Sequence, residues 1–307
     1  MTKAALLHSK LAPLAAQQVC IGTSSWKYSG WCGQLYDEQR YLTRGKFSEA
    51  KFERECLAEY AQTFSTVCVD AGYYQFPTEK WLEKLCSSVP PGFRFSFKVT
   101  DTITIKQYPN QPRHGARAGQ PNPQFLNADL FRSAFLRPCE GFREHIGALI
   151  FEFSQFYTRD FEHGRDFVAA LDAFLSELPP GWQYGVEIRN KTFLVPEFFA
   201  ALRSHGVAHV FNSWTRMPPV SEQLAMPDSV TTDFILARFL LTPGRKYEEA
   251  VRTFSPYTET KAADADARAA GRAVIAKAKA SKRPSFIYVN NRLEGNALST
   301  IEAMLES

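Results

Sequence analysis

The chain has 307 residues, of which 45% are hydrophobic and 22% are charged, and its formal net charge is +4. These values are those of a folded globular protein and exclude a disordered or fibrous chain. The small net charge does not by itself indicate a nucleic-acid or membrane partner, and no apolar run reaches the ~18 residues that a membrane span needs. The apolar run Ala4 to Leu7 is too short for a secretory signal, so we expect a cytoplasmic protein.

Short β-rich runs recur along the whole chain, and helical patterns lie between them. The runs are Val19 to Thr23, Thr66 to Asp70, Phe93 to Lys98, Ile146 to Phe151, Tyr184 to Ile188, Val207 to Phe211, Phe234 to Phe239 and Ser285 to Val289. Eight strands that alternate with helices predict a parallel sheet, and the count of eight favours a closed (β/α)8 barrel over an open doubly wound sheet. No glycine-rich nucleotide-binding motif follows the first run, which also disfavours the open sheet.

Helical patterns separate these runs. In the stretch Phe47 to Phe64, the residues Phe52, Cys56 and Tyr60 are four apart and share one helical face. Further helical patterns span Phe161 to Leu178, Pro196 to His205, Thr258 to Ala280 and Leu298 to Leu305. We therefore predict one barrel domain over residues 19–307, preceded by an N-terminal extension of residues 1–18.

The segment 99–145 interrupts the alternation, because it is too long for one crossover helix and is rich in proline near its middle. It is predicted to be an insertion between the third and fourth strands. One interpretation is a mobile loop. The other is a basic lid in which Arg113, His114 and Arg117 bind phosphates, and the composition favours the first.

Polar or charged residues follow every predicted strand. Because the catalytic residues of such barrels lie where the strands end, these residues are expected to share one mouth. They are Thr23, Ser24, Ser25, Asp70, Lys98, Glu152, Glu187, Arg189, Asn212, Arg238, Asn290 and Asn291. Burying such charges unpaired is costly, so we expect them to pair around a wet cavity. A pocket with both signs suits a ligand that carries anionic groups and hydroxyl or amide groups.

Aromatic residues cluster in the loops after the first, second and sixth strands. They are Trp26, Tyr28, Trp31, Tyr73, Tyr74 and Trp214. Aromatic faces beside carboxylates and amides suit a sugar ring, a nucleoside or an unstacked base. For Tyr28 and Trp31, packing of the loop itself is the favoured role.

The sequence does not predict a metal site or a cofactor. Only His209 lies in a predicted strand, and we expect it to be buried and hydrogen-bonded. A magnesium site made of Asp70, Glu152 and Glu187 is the weaker alternative. The six cysteines form no C-x-x-C pair, which favours reduced thiols over disulfides or a zinc site.

Six segments carry a more specific signal. They are Gly22-Thr23-Ser24-Ser25-Trp26, Thr66 to Tyr74, Phe93 to Lys98, Leu149 to Phe153, Val186 to Asn190 and Tyr288 to Ala297. In this order they resemble the domain-of-unknown-function 72 family, also called YecE-like, whose members adopt a TIM barrel. The resemblance covers the chain from about Cys20 to Ala297. It implies the barrel fold and no activity, because the family has no settled one.

Four positions depart from the family pattern. Cys68 replaces a glutamate of the second strand, Asp70 replaces an asparagine, and Glu152 replaces a glutamine. Leu240 lies where the family has a histidine after Arg238. The resemblance therefore implies a divergent member with a changed ligand or chemistry. The retained polar positions are Lys98, Glu187, Arg189, Arg238, Asn290 and Asn291.

The strand-end residues favour an enzyme that acts on a polar or anionic small molecule, such as a sugar, a phosphosugar or a nucleotide fragment. Glu187 is the expected general base or acid, with Glu152 and Asp70 as supporting carboxylates. Arginine suits bidentate contact with phosphate or carboxylate. The expected ligand-binding residues are Trp26, Lys98, Arg189, Arg238, Asn290 and Asn291.

The alternative is a module that binds nucleic acid or an anionic metabolite without turnover. The basic loop Arg113 to Arg117 and the aromatic loop Trp26 to Trp31 are the expected contacts in that case. A net charge of +4 argues against extensive phosphate contact, so the enzyme is favoured.

Overall fold

Eight parallel strands close into a barrel in the computed structural model, which describes residues 2–306 apart from the side chains of Ala71 and Arg113. The barrel strands are β1 Val19–Ser24, β2 Thr66–Val69, β3 Arg94–Lys98, β4 Ile146–Glu152, β5 Tyr184–Glu187, β6 Ala208–Ser213, β7 Ile235–Phe239 and β8 Ser285–Val289. Each strand pairs with its neighbours in sequence, and β8 pairs with β1 to complete the circle. The predicted closed (β/α)8 barrel is confirmed, with strand ends within about two residues of those expected.

Helices surround the barrel. They are α1 Lys3–Ala16, α2 Glu49–Tyr60, α3 Glu79–Cys86, α4 Asp101–Thr104, α5 Ala128–Leu130, α6 Arg137–Cys139, α7 Gly164–Ser176, α8 Pro196–Ser204, α9 Val220–Ala225, α10 Tyr247–Phe254, α11 Ala265–Ser281 and α12 Ala297–Met304. A π-helical turn, Phe131–Leu136, joins α5 to α6. Helix α11 begins at Ala265 rather than at the predicted Thr258, because the Asp264 side chain accepts a hydrogen bond from the backbone nitrogen of Ala267 and caps the helix there.

Helix α1 packs beside β1 and ties the start of the chain to its end. Its residues Leu7, Leu11 and Leu14 recur at helical spacing and are buried. The Lys3 ammonium lies 2.6 Å from the Ser299 hydroxyl of α12. Within residues 2–306, no helix combines the length and the apolarity that a bilayer crossing requires.

Alternate residues of each strand fill the barrel interior. The inner layer consists of Cys68, Ala148, Ile150, Ala208, Val210, Phe234, Leu236, Phe286 and Tyr288. The Tyr288 hydroxyl donates a hydrogen bond to Ser96 Oγ at 2.6 Å. Because side chains alternate along a strand, the residue two positions after each member of this layer also points inward, at the carboxyl end of the barrel.

The seam between β1 and β2 is joined through a side chain of α2. The backbone nitrogen of Thr23 donates to the Tyr60 hydroxyl at 3.1 Å, and that hydroxyl donates to the carbonyl oxygen of Thr66 at 3.0 Å. Gly22 makes the close approach possible, since a Cβ there would lie 2.2 Å from the same carbonyl oxygen. Direct pairing of the two strands is confined to Thr23 with Val67 and Ser24 with Cys68.

The segment between β3 and β4 packs beside the mouth of the barrel. Phe125 contacts the aromatic rings of Phe153, Phe156 and Phe161 in the loop after β4. Thr100 donates a hydrogen bond to the carbonyl oxygen of Gly72 in the loop after β2. The segment therefore connects the loops that follow β2, β3 and β4.

The basic residues of this segment make local contacts. The Arg117 guanidinium lies 4.8 Å from the centre of the Tyr108 ring, and His114 is buried beside the same ring. The phosphate contact expected of Arg113 lies outside the described side chains.

Candidate functional site

Six charged side chains converge inside the carboxyl end of the barrel. Each follows the inward-pointing positions of its strand, so neighbouring strands bring them together. The six are Asp70, Lys98, Glu152, Glu187, Arg189 and Arg238, and we call them the mouth cluster. Their three cations and three carboxylates give a formal net charge of zero. The mutual pairing that the sequence predicts is thus what the structure has.

One oxygen of Glu152 is the centre of the mouth cluster. Glu152 Oε2 lies 2.7 Å from Arg238 Nη1, 3.1 Å from Lys98 Nζ and 3.1 Å from Arg189 Nη2. Burial alone would raise the pKa of Glu152, but these three cations hold that pKa well below its usual range. Glu152 is therefore an ionised carboxylate near neutral pH and cannot serve as a proton donor there.

Glu187 is enclosed by two arginines. Its Oε2 accepts a hydrogen bond from Arg238 Nη1 at 2.6 Å, and its Oε1 lies 2.5 Å from Arg189 Nη2. Arg189 also donates to Asn212 Oδ1 at 3.1 Å and lies 4.1 Å from the centre of the Trp214 ring. The Glu187 side chain is 0% exposed, so a ligand cannot reach it without displacing its partners.

Asp70 is the accessible member of the mouth cluster. Its side chain is 33% exposed, whereas that of Glu152 is 12% exposed and that of Lys98 is 11% exposed. Asp70 Oδ1 lies 3.4 Å from Arg238 Nη2 and 3.9 Å from Lys98 Nζ. These longer contacts leave the carboxylate free to accept a further hydrogen bond.

Trp26 lies beside Asp70 rather than over the centre of the barrel. Both residues line a cavity of about 190 Å³ between α2 and α3, together with Trp81. The Lys27 ammonium lies 5.9 Å from the centre of the Trp26 ring at this cavity. Trp26 itself is buried. The structure therefore brings Trp26 near Asp70, on the side of the barrel away from Glu187.

The two asparagines after β8 point in different directions. Asn290 continues the inward face of Tyr288, and its Oδ1 accepts a hydrogen bond from the backbone nitrogen of Arg292 at 2.9 Å. Asn291 Oδ1 accepts one from the backbone nitrogen of Ala297 at 2.8 Å, where α12 begins. Asn290 thus borders the mouth cluster, whereas Asn291 positions a helix.

Arg292 is a site residue that the pattern of strand ends does not predict. Its guanidinium lies 4.7 Å from the centre of the Tyr247 ring, and Tyr247 lies 6.3 Å from Trp214. Tyr28 and Tyr257 form an edge-to-face pair nearby, 5.5 Å apart. The signal that marks Arg292 is the polar run Asn290-Asn291-Arg292, which continues for three residues past β8.

His209 is buried outside the barrel wall, against the rings of Phe199 and Phe211. Burial is the main cause that lowers its pKa to about 4, and a smaller effect of Gln223 opposes it. The expected burial is confirmed, and Gln223 is the side chain that interacts with the ring, although neither ring nitrogen has a well-formed hydrogen bond in the described part of the chain. Among the same residues, no group of three or more His, Cys, Asp or Glu is arranged to hold a metal ion.

Comparison with known proteins supports the resemblance found in the sequence. The family model described as "Protein of unknown function DUF72" matches residues 20–307. Solved DUF72 family proteins from Enterococcus faecalis V583 and Thermotoga maritima MSB8 are similar in fold. The first is 16% identical with a TM-score of 0.61 and covers 93% of this chain and 95% of its own. The second is 16% identical with a TM-score of 0.57, over 93% and 96% of the two chains. No curated protein matches the chain.

Proposed function

This chain belongs to the DUF72 family, and since that description carries no activity, we propose from the site itself that the protein is an enzyme acting on a polar or anionic small molecule. The substrate class is a sugar, a phosphosugar or a nucleotide-like compound, bound at the carboxyl-end mouth of the barrel. The reaction uses carboxylate acid–base chemistry.

The observation that carries the proposal is the exposure of Asp70 within an otherwise enclosed mouth cluster. This carboxylate is 33% exposed and borders the cavity that Trp26 also lines, so a ligand there can contact it directly. Asp70 therefore accepts or returns a proton of the substrate, and Lys98 and Arg238 beside it stabilise negative charge that develops during the step. Preorganised cations of this kind need little rearrangement, because the buried part of the cluster already holds them.

This assignment differs from the roles expected from the sequence. Glu187, expected to be the base or acid, is fully enclosed by Arg189 and Arg238. Glu152 is ionised and shared among three cations. Both glutamates therefore position the cations, and proton transfer belongs to Asp70.

The remaining polar and aromatic groups of the mouth suit the same substrate class. Asn290 Nδ2 and Ser24 Oγ are buried without a hydrogen-bond partner in the described chain. They can bind hydroxyl, carbonyl or phosphate oxygens of a ligand. Trp214 and Tyr247 offer ring faces next to Arg189 and Arg292. Ring faces beside charged groups are typical of sugar and nucleotide sites.

The test compares wild type with Asp70→Asn against a panel of sugars, phosphosugars and nucleoside monophosphates. Binding is followed by saturation-transfer NMR, and turnover by the appearance of new signals. We expect Asp70→Asn to bind the same panel members and to convert them at least ~100-fold more slowly. Asp129→Asn is the control, because Asp129 is 84% exposed on α5 and its ion-pair partner is Arg132, outside the mouth cluster.

Two results would contradict the proposal that the protein is an enzyme. Unchanged turnover in Asp70→Asn would remove the acid–base role. Binding of single-stranded RNA by the wild type, falling steeply with salt and with no panel member converted, would support the non-catalytic binding module instead.

A further inference from the structure

Arg292 carries a positive charge whose carboxylate neighbour, Asp70, lies beyond ion-pair distance. The mouth cluster is neutral, since its three cations face three carboxylates. The Arg292 guanidinium is half-buried, and within residues 2–306 it forms no ion pair at 4.0 Å or less. Its side chain instead rests against the Tyr247 ring at 4.7 Å. The mouth as a whole therefore has a formal charge of +1, located after β8.

Two further donors lie on the same side of the barrel. Asn290 Nδ2 and Ser24 Oγ belong to side chains that are 1% exposed, and neither has a hydrogen-bond partner among the described residues. They are neighbours in the barrel, because β1 and β8 pair with Thr23 opposite Val289. Buried polar atoms in proteins are almost always partnered by protein, water or ligand, so this pair is available to bind a further hydrogen-bonding group.

The turn that holds Arg292 is fixed by Asn290. Asn290 Oδ1 accepts the backbone hydrogen of Arg292, which orients the Asn290 amide so that its Nδ2 remains available. Ser24 and Asn290 follow the paired residues Thr23 and Val289, and Arg292 follows two residues after Asn290, with its guanidinium over the Tyr247 ring. A cation, an amide and a hydroxyl on these neighbouring segments match the oxygens of a phosphate group better than a single hydroxyl. Loops after the seventh and eighth strands are also a frequent phosphate site in barrels of this fold.

We propose that Arg292, Asn290 and Ser24 bind the phosphate of a phosphomonoester substrate, a phosphosugar or a nucleoside monophosphate. The inference deepens the proposed function and rests on it for the reaction at Asp70. The strand β1 separates β8 from β2, so the phosphate lies to one side of Asp70. The phosphate group therefore orients the substrate, and the bond that reacts lies in another part of the substrate, near Asp70.

The test measures the affinity for ribose 5-phosphate, ribose and inorganic phosphate by calorimetry, in wild type and in Arg292→Gln. We expect the wild type to bind ribose 5-phosphate more tightly than ribose. Arg292→Gln should bind the phosphate ester about 10- to 100-fold more weakly, with ribose affinity unchanged. Arg252→Gln is the matched control, because Arg252 is an exposed arginine on the neighbouring helix α10.

A second variant covers the case in which Arg292→Gln unfolds, as judged from its melting temperature. Asn290→Asp keeps the oxygen that accepts the Arg292 hydrogen and adds a negative charge beside the proposed phosphate. It should weaken ribose 5-phosphate binding by at least ~10-fold.

Equal wild-type affinities for ribose and ribose 5-phosphate, or unchanged affinities in both variants, would overturn the phosphate site and leave the proposed function standing. Conversely, Asp70→Asn should bind the phosphate ester at least as tightly as wild type, because it removes one negative charge from the mouth cluster. If that variant also kept its turnover, the proposed function would fail while the phosphate site remained.

Discussion

Glu187 Oε2 lies 2.6 Å from Arg238 Nη1 in a pair that solvent does not reach, since the two side chains are 0% and 2% exposed. Arg238 also contacts Glu152 and Asp70, so this pair is the link between the enclosed and the open parts of the mouth cluster. A charged pair in this position has to remain complete, because either partner alone would be an uncompensated buried charge.

Glu187→Gln is therefore expected to destabilise the fold strongly. The substitution keeps the shape and removes the charge that faces Arg189 and Arg238. Breaking a buried pair typically costs ~3–5 kcal/mol, and we expect a loss of unfolding free energy of this size in urea titrations. Asp70→Asn is the comparison, with a loss of about 1 kcal/mol or less because Asp70 is partly exposed. Equal stability of the two variants would contradict the enclosed pair.

Glu152→Gln should make the protein bind anions more tightly. The change leaves Lys98, Arg189 and Arg238 without their shared carboxylate oxygen, so the mouth gains a net positive charge. We expect a lower melting temperature in anion-free buffer, and a ~10-fold gain in affinity for inorganic phosphate. Thermal melts over a phosphate titration measure both effects. A phosphate response identical to that of wild type would contradict this account of Glu152.

The burial of His209 predicts a specific loss of stability in acid. Its folded pKa of about 4 lies below the ordinary value of 6.5, so the unfolded chain binds more protons between these two pH values. The contribution of His209 to the free energy of unfolding is therefore fully present above pH ~6.5. It falls as the pH drops, by up to ~1.4 kcal/mol per pH unit, until pH ~4.

His209→Leu removes this titration, and its unfolding free energy should decline less than that of wild type over the same range. His8→Gln, at an exposed position of α1, should follow the wild type. Parallel pH profiles of wild type and His209→Leu would show that the buried ring does not titrate as described.

Gly22→Ala tests the close approach of β1 to β2. The added methyl group would lie 2.2 Å from the carbonyl oxygen of Thr66, a backbone atom that cannot rotate away. We expect a loss of at least ~1–3 kcal/mol in unfolding free energy. Gly141→Ala is the control, because nothing lies within 4 Å of the added group and its φ is not positive. If both variants were equally stable, the seam would be looser than the structure shows.

The fold could be predicted because local patterns encode it. Each barrel strand is a short run of β-branched and aromatic residues, and most helices carry an apolar face of the correct period. Helix α1 is harder to identify, since Pro13 lies inside it and proline is unfavourable in a helix interior. The start predicted for α11 is too early, because the polar stretch before the helix resembles the helix itself. The Asp264 cap determines where the helix begins.

The membership of the mouth cluster could also be predicted, because strand ends of a parallel barrel share one edge. The solvent exposure of each member could not be predicted from the sequence. This exposure depends on which arginine pairs with which carboxylate across the barrel, and Arg238 pairs with Glu187 from two strands away. Periodicity likewise does not show that Asn291 turns to the start of α12 while Asn290 turns inward.

The hydroxyl of Tyr60 joins α2 to the β1–β2 seam below the mouth of the barrel. The backbone nitrogen of Thr23 donates to that hydroxyl, Thr23 Oγ1 lies 2.9 Å from it, and the same Oγ1 donates to the carbonyl oxygen of Ser25. Thr23 thus connects α2 to the loop that carries Trp26. The cavity shared by Trp26 and Asp70 lies against this helix, so a group that fills the cavity contacts the same helix that Tyr60 bonds to the β1–β2 seam.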